Sequence, residues 1–149
     1  MKSQNGWKAS KNQVLIGIKQ FTVPGTDRKF RLQKHAGKIL VEVAKEFHER
    51  VEPIDEGTFD DWGYAYREVR FGNGDLSNHA SGTAIDLNAT KHPLGKMNTF
   101  TKPQQKIIRE ICSKYGVRWG GDFKRPDDMH FEIIETPKQV KARIKDMGL

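Results

Sequence analysis

The chain has 149 residues, of which 36% are hydrophobic and 30% are charged, and its formal net charge is +7. This balance is typical of a globular domain with one core, and it excludes a disordered chain. The single cysteine excludes an internal disulfide and a four-thiolate zinc site. No apolar run approaches the roughly 20 residues that span a bilayer. The positive charge favours a polyanionic partner such as nucleic acid, acidic lipid or a bacterial wall, without choosing among them.

The first apolar run, Val14 to Ile18, is shorter than the roughly 7–15 residues of a signal-peptide core. The sequence therefore predicts a protein that is made in the cytoplasm without an export signal. It contains no internal repeats or low-complexity linkers, so we expect a single domain over residues 1–149. We also expect a monomer.

The first predicted helix lies in AGKILVEVAKEFHERV, where apolar side chains recur every three or four residues. The second lies in TKPQQKIIREICSKYG; Thr101 opens it, Pro103 falls in its first turn, and it closes near Gly116. Cys112 lies on the apolar face of this helix and is interpreted as a buried structural thiol. The apolar residues of the first helix are Ala36, Ile39, Leu40, Val43, Ala44, Phe47 and Val51.

A third, shorter helix is predicted in ETPKQVKARIKDMGL. Thr136 is its N-cap, Pro137 its first residue, and Gln139 completes a capping box. Short extended segments lie between the helices: KFRL, WGYAYREV, GTAIDLNA, VRWGG and MHFEII. Because strands and helices do not alternate regularly, the sequence predicts the α+β class, with a small antiparallel sheet flanked by about three helices.

The strand segments carry polar residues suited to metal binding. In TAIDLN, alternation places Asp86 on the face opposite its apolar neighbours, and Gly82 permits a bend that folds His79 back over this strand. In MHFEII, the same alternation separates His130 from the apolar residues on either side. Two histidines and a carboxylate match the three protein ligands of a catalytic zinc site, which keeps a fourth position for water. A structural interpretation stays open for each residue, because a strand histidine is usually hydrogen-bonded within the fold and an aspartate can cap a turn.

Four segments resemble one family of enzymes. SNHASGTAID resembles the Ser-x-His-x-x-Gly-x-Ala-x-Asp signature of the zinc D-alanyl-D-alanine carboxypeptidase and L-alanyl-D-glutamate peptidase family. DDMHFEI resembles that family's second motif, in which an acidic residue and two spacers precede a histidine. The tryptophan-glycine pair in VRWGGDF is also similar to the family, and GYAYR resembles its Tyr-Arg element. The similarity runs from Trp62 to Ile133 and is greatest to the short peptidases of phage lysins. It implies a fold like that of the DD-peptidases and hedgehog domains, with the zinc site on the sheet.

The resemblance implies that His79, Asp86 and His130 bind the zinc ion. It also implies Asp127, three residues before the last ligand, as the general base and acid. Strand alternation instead favours Asp128, two residues before that ligand. Both aspartates are therefore candidates, and Asp127 is preferred on the spacing of the motif. The aspartate that is not the base is expected to cap the turn that follows the proline.

Further residues are candidates for contacts with the substrate. Arg67 corresponds to the family's arginine, which steadies the substrate carbonyl or carboxylate and the developing negative charge; Arg70 is close enough in sequence to be an alternative. Ser77 matches the signature serine and is expected to bind substrate or to orient the first histidine ligand. His92 and Trp119 are two more candidates for substrate binding, although a loop histidine and a tryptophan often have structural roles instead.

Together these features predict a zinc metallopeptidase that hydrolyses an amide bond in the stem peptide of peptidoglycan. The lysin-like resemblance favours the bond between L-alanine and D-glutamate, and removal of a terminal D-alanine is the alternative. A second alternative is a non-catalytic, zinc-bearing module that binds the wall or nucleic acid, because relatives of this fold bind without hydrolysing. The acidic residue of the second motif argues for catalysis.

The expected partners are the peptidoglycan stem peptide and, through the basic surface, anionic wall polymers. Nucleic acid is not the expected partner, because no block of basic residues interleaved with aromatic ones is present. No separate wall-binding domain is visible in the sequence. We expect a bacteriolytic, endolysin-like enzyme that is made in the cytoplasm of a phage-infected bacterium. It is expected to act on the bacterial wall after release.

Overall fold

The computed structural model describes all 149 residues and has five strands and three α-helices. Two short 3-10 turns, Asn78–Ser81 and Gly120–Asp122, precede β3 and follow β4. The predicted α+β class is confirmed, and none of the helices combines the length and apolarity needed to cross a bilayer. In chain order the elements are β1 (Ile18–Thr22), β2 (Lys29–Gln33), α1 (Ala36–Arg50), β3 (Ala84–Asp86), α2 (Lys102–Tyr115), β4 (Val117–Trp119), β5 (His130–Ile133) and α3 (Pro137–Met147).

The helix ends follow from local sequence. At the start of α2 the Thr101 side chain accepts a hydrogen bond from the Gln104 backbone, and the Gln104 side chain accepts one from the Thr101 backbone. This reciprocal capping satisfies two backbone donors that have no partner inside the helix. The helix ends where Gly116 takes a left-handed conformation, as predicted. Thr136 and Gln139 repeat the capping box at α3.

The strands form two antiparallel sheets. β1 pairs with β2, and a second sheet has the order β3-β5-β4. In the second sheet Ile85 lies opposite Phe131, and Asp86 lies opposite His130. Ile85 and Phe131 enter the hydrophobic core of 24 buried residues, most of which come from α1, α2 and the two sheets. Because side chains alternate along a strand, burying these apolar residues directs Asp86 and His130 to the other face of the sheet.

Two features of this fold differ from the sequence-based prediction. The segment WGYAYREV is not a strand; it joins its neighbours through isolated bridges, one of which pairs Trp62 with Asp86, and through single backbone hydrogen bonds. The strand β1 was not predicted, because IKQFT exposes Lys19 and Gln20 and has too little apolar alternation to mark a strand. Pairing with β2 stabilises it instead, so tertiary context outweighs local propensity.

The N-terminal residues are packed against the 3-10 turn that precedes β3. The Asn5 amide donates hydrogen bonds to Thr83 Oγ1 at 2.8 Å and to the Ile133 carbonyl at 2.9 Å, and its backbone N–H donates to Asn78 Oδ1. Ser3 is buried and bonds Ser81 at 2.7 Å. These bonds tie the turn to the end of β5.

Candidate metal centre

The structure brings His79, Asp86 and His130 together. Asp86 and His130 are directly opposite each other on β3 and β5, so the register of the sheet sets their separation. His79 lies on the 3-10 turn rather than on a strand. Gly82 ends this turn in a left-handed conformation with φ of 70°, and its N–H donates to the carbonyl of His79. The bend predicted at Gly82 is thus present, and it returns the chain so that His79 faces β3.

The three side chains offer a compact triangle of donor atoms. His79 Nε2 lies 3.3 Å from Asp86 Oδ1 and 3.2 Å from His130 Nδ1, and the third side of the triangle is 3.1 Å. Zinc–nitrogen and zinc–oxygen bonds are close to 2 Å, so the donors of a tetrahedral zinc ion stand about 3.3 Å apart. The triangle therefore fits one face of a zinc tetrahedron, with the fourth corner free.

The second nitrogen of each histidine is held by a hydrogen bond. His79 Nδ1 lies 2.7 Å from the carbonyl of Gly63, and His130 Nε2 lies 2.6 Å from a carboxylate oxygen of Glu132. These bonds turn the remaining nitrogen of each ring toward the shared centre. Such partners fix the tautomer and ring orientation of histidines that bind metals.

The charge balance of the group also suits a cation. Burial raises the pKa of Asp86, but the adjacent His79 and His130 outweigh burial and hold it well below its usual range. Burial lowers the pKa of His130, while its bonds to the Asp86 and Glu132 carboxylates raise it, with a net pKa of about 10. Two buried carboxylates therefore require a positive charge between them, either a proton on His130 or a metal ion.

The two candidate bases have different surroundings. Asp127 lines the cavity above the metal centre, and its buried Oδ1 accepts no hydrogen bond. Burial raises the pKa of this carboxyl above the ordinary value. Asp128 is bonded away from the cavity, because its Oδ2 accepts hydrogen bonds from the Thr99 N–H at 3.0 Å and hydroxyl at 2.6 Å. The strand β5 begins only at His130, so strand alternation does not extend to Asp128.

The tryptophan-glycine segment supports the loop that holds Asp127. The Asp127 N–H donates to the Gly120 carbonyl at 2.9 Å. A Cβ atom at Gly120 would lie only 2.3 Å from the Asp127 carbonyl oxygen, so any larger residue would displace this loop. Trp119 is buried in the core, and its indole N–H donates to the Asp128 carbonyl at 2.8 Å. Trp119 thus lies behind the loop and does not line the cavity above the metal centre.

The remaining sequence-based candidates fall into two groups. Arg67 is half-buried and lines the cavity; burial lowers its pKa, while Asp86 and Asp127 oppose that effect. Ser77 also lines the cavity, and its hydroxyl accepts a hydrogen bond from the backbone N–H of His79. His92 is not brought to the cavity. Its ring nitrogens bond Thr99 and Glu52, and it stacks on Phe100 with centroids 3.8 Å apart.

Two cavities meet at the metal centre. A cavity of about 430 Å³ is bounded by Asp86, His130 and Asp127. A second cavity, of about 390 Å³, contains His79 and shares Asp86 and Arg67 with the first. Trp62, with 53% of its surface exposed, lines both cavities. The open space at the centre thus extends over both cavities.

Sequence reasoning missed several residues of this site. Glu132 carries a detectable signal, since alternation along β5 puts it on the same face as His130. Gly63 acts through its backbone carbonyl, which no side-chain pattern reveals. Phe71 and Arg125 come from two loops and meet over the cavity, so only the tertiary structure shows their contact.

Comparison with known protein families gives one match. The profile of a family described as D-alanyl-D-alanine carboxypeptidase matches residues 71–133. All three donor residues and Asp127 lie within the matched segment, and Arg67 lies just before it. The match confirms the family resemblance identified from the sequence. A comparison with curated proteins finds no match to this chain.

Proposed function

Because the chain carries this family segment and is a metallopeptidase, we propose that it uses a zinc ion to hydrolyse an amide bond in the stem peptide of peptidoglycan. The observation that carries the proposal is the triangle of His79, Asp86 and His130 beside an unpartnered carboxyl oxygen of Asp127. A closed structural zinc site would use four protein ligands, whereas this group offers three and faces a cavity.

The side chains of the cleft divide the chemistry among them. A zinc ion held by the three donors would supply a Lewis acid and lower the pKa of a water molecule toward about 7. Asp127 takes the proton of the attacking water and passes it to the leaving amine, since its raised pKa suits both transfers. Arg67 is held near Asp86 and Asp127, where its charge stabilises the negative oxygen that develops on the scissile carbonyl.

We propose the bond between L-alanine and D-glutamate as the one that is cut. An internal bond requires room for substrate on both sides of the reacting carbonyl, and the two cavities that share Asp86 and Arg67 provide it. Removal of a terminal D-alanine is the second candidate, and the description of the matched family favours it. A carboxypeptidase needs space for only one residue beyond the scissile bond.

Digestion of purified peptidoglycan tests these two alternatives. Mass spectrometry of the released fragments should show glycan strands that keep only L-alanine, together with free peptides that begin at D-glutamate. Release of free D-alanine alone would establish the carboxypeptidase instead. The Asp127→Asn variant serves as the inactive control.

Metal removal tests the zinc assignment. Exhaustive chelation should abolish hydrolysis, and added zinc should restore it at one ion per chain. Most of the helical signal in circular dichroism should survive, because α2 and α3 contribute no residue to the metal group. Full activity after chelation would contradict the assignment.

We propose that the enzyme acts as a lysin on the wall of a phage-infected host, reaching it from the cytoplasm. The similarity of its motifs to short phage-lysin peptidases and its charge of +7 support this role. Purified protein added to bacteria with permeabilised membranes should reduce their turbidity, and the Asp127→Asn variant should not. Unchanged turbidity with both the unsubstituted protein and the Asp127→Asn variant would contradict a bacteriolytic role.

A further inference from the structure

Four cationic side chains line the cavity above the metal centre, and none of them is in an ion pair. They are Arg67, Arg70, Lys124 and Arg125. Elsewhere in the chain the arginines and lysines that do pair find carboxylates at 2.7–3.4 Å. Carboxylates of Asp86, Asp127 and Glu132 line the same cavity but form no ion pair with these cations. The cations therefore repel each other, and an anion placed among them would relieve that repulsion.

Arg125 has the most defined position of the exposed cations in this group. Its guanidinium carbon lies 4.1 Å from the centre of the Phe71 ring. The ring projects from an arm, residues 68–76, that is closed by the bridge between Glu68 and Leu76 and by a 2.8 Å hydrogen bond from the Val69 N–H to the Asp75 carbonyl. Arg125 belongs to the separate loop that leads to Asp127.

Stacking on Phe71 orients Arg125 without using its donors. A guanidinium that lies over an aromatic ring keeps its N–H groups free at the edge of the plane. Those groups form no hydrogen bond with the protein, and Arg70 and Lys124 line the same cavity. An oriented, unpaired guanidinium of this kind is suited to bind a carboxylate through two parallel hydrogen bonds.

We propose that Arg125, held by Phe71 and supported by Arg70 and Lys124, forms a carboxylate-binding subsite that selects acidic stem peptides. This subsite is separate from the metal group and from Arg67, and it recognises a substrate carboxylate outside the scissile amide. The inference rests on the proposed function, since it names the class of peptide that this cleft accepts. Peptides whose carboxylates are converted to carboxamides should bind less well.

The test compares two synthetic stem peptides of identical sequence. One carries free carboxylates, and in the other every carboxylate is a carboxamide. Binding is measured by calorimetry on zinc-loaded Asp127→Asn protein, so that no turnover occurs. The acid form should bind roughly tenfold more tightly than the amide form, because a charge-assisted hydrogen bond is lost in the amide.

Substitutions in the Asp127→Asn background identify the residue responsible. Arg125→Gln should reduce the acid-to-amide ratio to about threefold or less, and Arg125→Lys should retain part of it. Phe71→Ala should weaken the preference by freeing the guanidinium. Lys106→Gln removes one positive charge from the exposed face of α2, outside the cavity, and should leave the ratio unchanged.

The outcomes separate this inference from the proposed function. An unchanged ratio in Arg125→Gln, or an equal loss in Lys106→Gln, would overturn the subsite. If the preference holds but the unsubstituted enzyme cleaves neither peptide, the subsite stands and the proposed reaction fails. Singly amidated peptides would then show which carboxylate Arg125 contacts.

Discussion

The carboxyl group of Asp127 is partly buried beside the three candidate metal-binding side chains, and its buried Oδ1 atom accepts no hydrogen bond. A buried acceptor without a partner costs free energy. Under the proposed function, this oxygen is the one that is free to accept a proton from the attacking water. Its neighbour Asp128 accepts two hydrogen bonds from Thr99 and is fully committed to the fold. The two adjacent carboxylates therefore have different surroundings.

Substituting each aspartate should separate catalysis from stability. Asp127→Asn should keep the metal and the fold but lose roughly 10²–10⁴ in kcat, the usual contribution of a positioned proton-transfer group. Asp128→Asn should lower the free energy of unfolding by about 1–3 kcal/mol with a much smaller effect on kcat. Steady-state kinetics, metal analysis and denaturant unfolding measure these quantities. A larger loss of kcat in Asp128→Asn would transfer the catalytic role to that residue.

Glu132 is expected to determine how firmly His130 holds the metal. Its carboxylate bonds the far nitrogen of the ring at 2.6 Å and favours the tautomer that presents Nδ1 to the centre. Glu132→Gln keeps an acceptor but removes the charge, so zinc affinity should fall roughly 10–100-fold. Competition with a chromophoric chelator measures it. Glu135→Gln, which loses only an ion pair with Arg143, is the matched control and should bind zinc normally.

At this scale the sequence predicted the residue types better than their partners. Motif spacing named His79, Asp86 and His130, and the structure brings these three side chains together. The hydrogen-bond partners that orient the two histidines could be predicted only in part. Glu132 follows His130 by two positions on a strand, which is a readable signal, whereas the carbonyl of Gly63 depends on how a distant loop folds. Long-range contacts of backbone atoms leave no mark in local sequence.

At the scale of elements, the 3-10 turn of residues 78–81 is the part of the fold that the metal centre depends on most. Ser77 caps its start and Gly82 ends it, so His79 has little freedom. Gly82 must be glycine for two reasons: its φ is 70°, and an added Cβ atom would lie 2.4 Å from Ile18 and 2.6 Å from the Gln33 nitrogen. The turn is therefore fixed against the β1–β2 sheet.

Gly82→Ala should disrupt this turn. Strain in the backbone and crowding against β1 and β2 together should cost about 2–5 kcal/mol of unfolding free energy and weaken zinc binding. Gly57→Ala is the control, because Gly57 has a similar φ of 76° but no atom within 4 Å of an added Cβ. It should cost only about 1 kcal/mol and leave zinc affinity unchanged. Equal effects of the two substitutions in unfolding and zinc titration would rule out a specific role for this turn.

Elements with strong local signals were predicted well, and those without were not. Thr101 followed by Pro103 marked the start of α2, and the capping box at Thr136 marked the start of α3, because such signals act within a few residues. The strand β1 and the irregular course of WGYAYREV depend on partners far away in sequence. Hydrogen bonds to distant segments decide such structure, and periodicity does not report them.

At the scale of the whole molecule, the excess of positive charge is spread over exposed surfaces. The lysines of α3 are exposed, and none of them is in an ion pair. Exposed charges act at long range on a polyanion but have little effect on the energy of the fold. Under the proposed function, we expect this charge to concentrate the protein on an anionic wall surface.

Salt should therefore separate wall binding from hydrolysis. Raising the salt concentration from 0.1 to 1 M shortens the Debye length from about 10 to about 3 Å. Pelleting of the protein with intact wall material should decrease steeply, while cleavage of a short, fully amidated peptide should change little because its contacts lie inside the cleft. Salt-independent pelleting would contradict the role of the charge. Duplex DNA in the same series tests the nucleic-acid alternative.

We expect that the matched segment, residues 71–133, does not fold on its own, even though it holds all three candidate metal donors. Its 3-10 turn is hydrogen-bonded to Asn5, and the ring of His79 is hydrogen-bonded to the carbonyl of Gly63. Much of the core that orients its strands comes from α1. A fragment cut to the recognisable motifs would keep the ligands and lose their geometry. Engineered versions should therefore retain the native N-terminal residues and carry fusion partners at the C-terminal end, after α3.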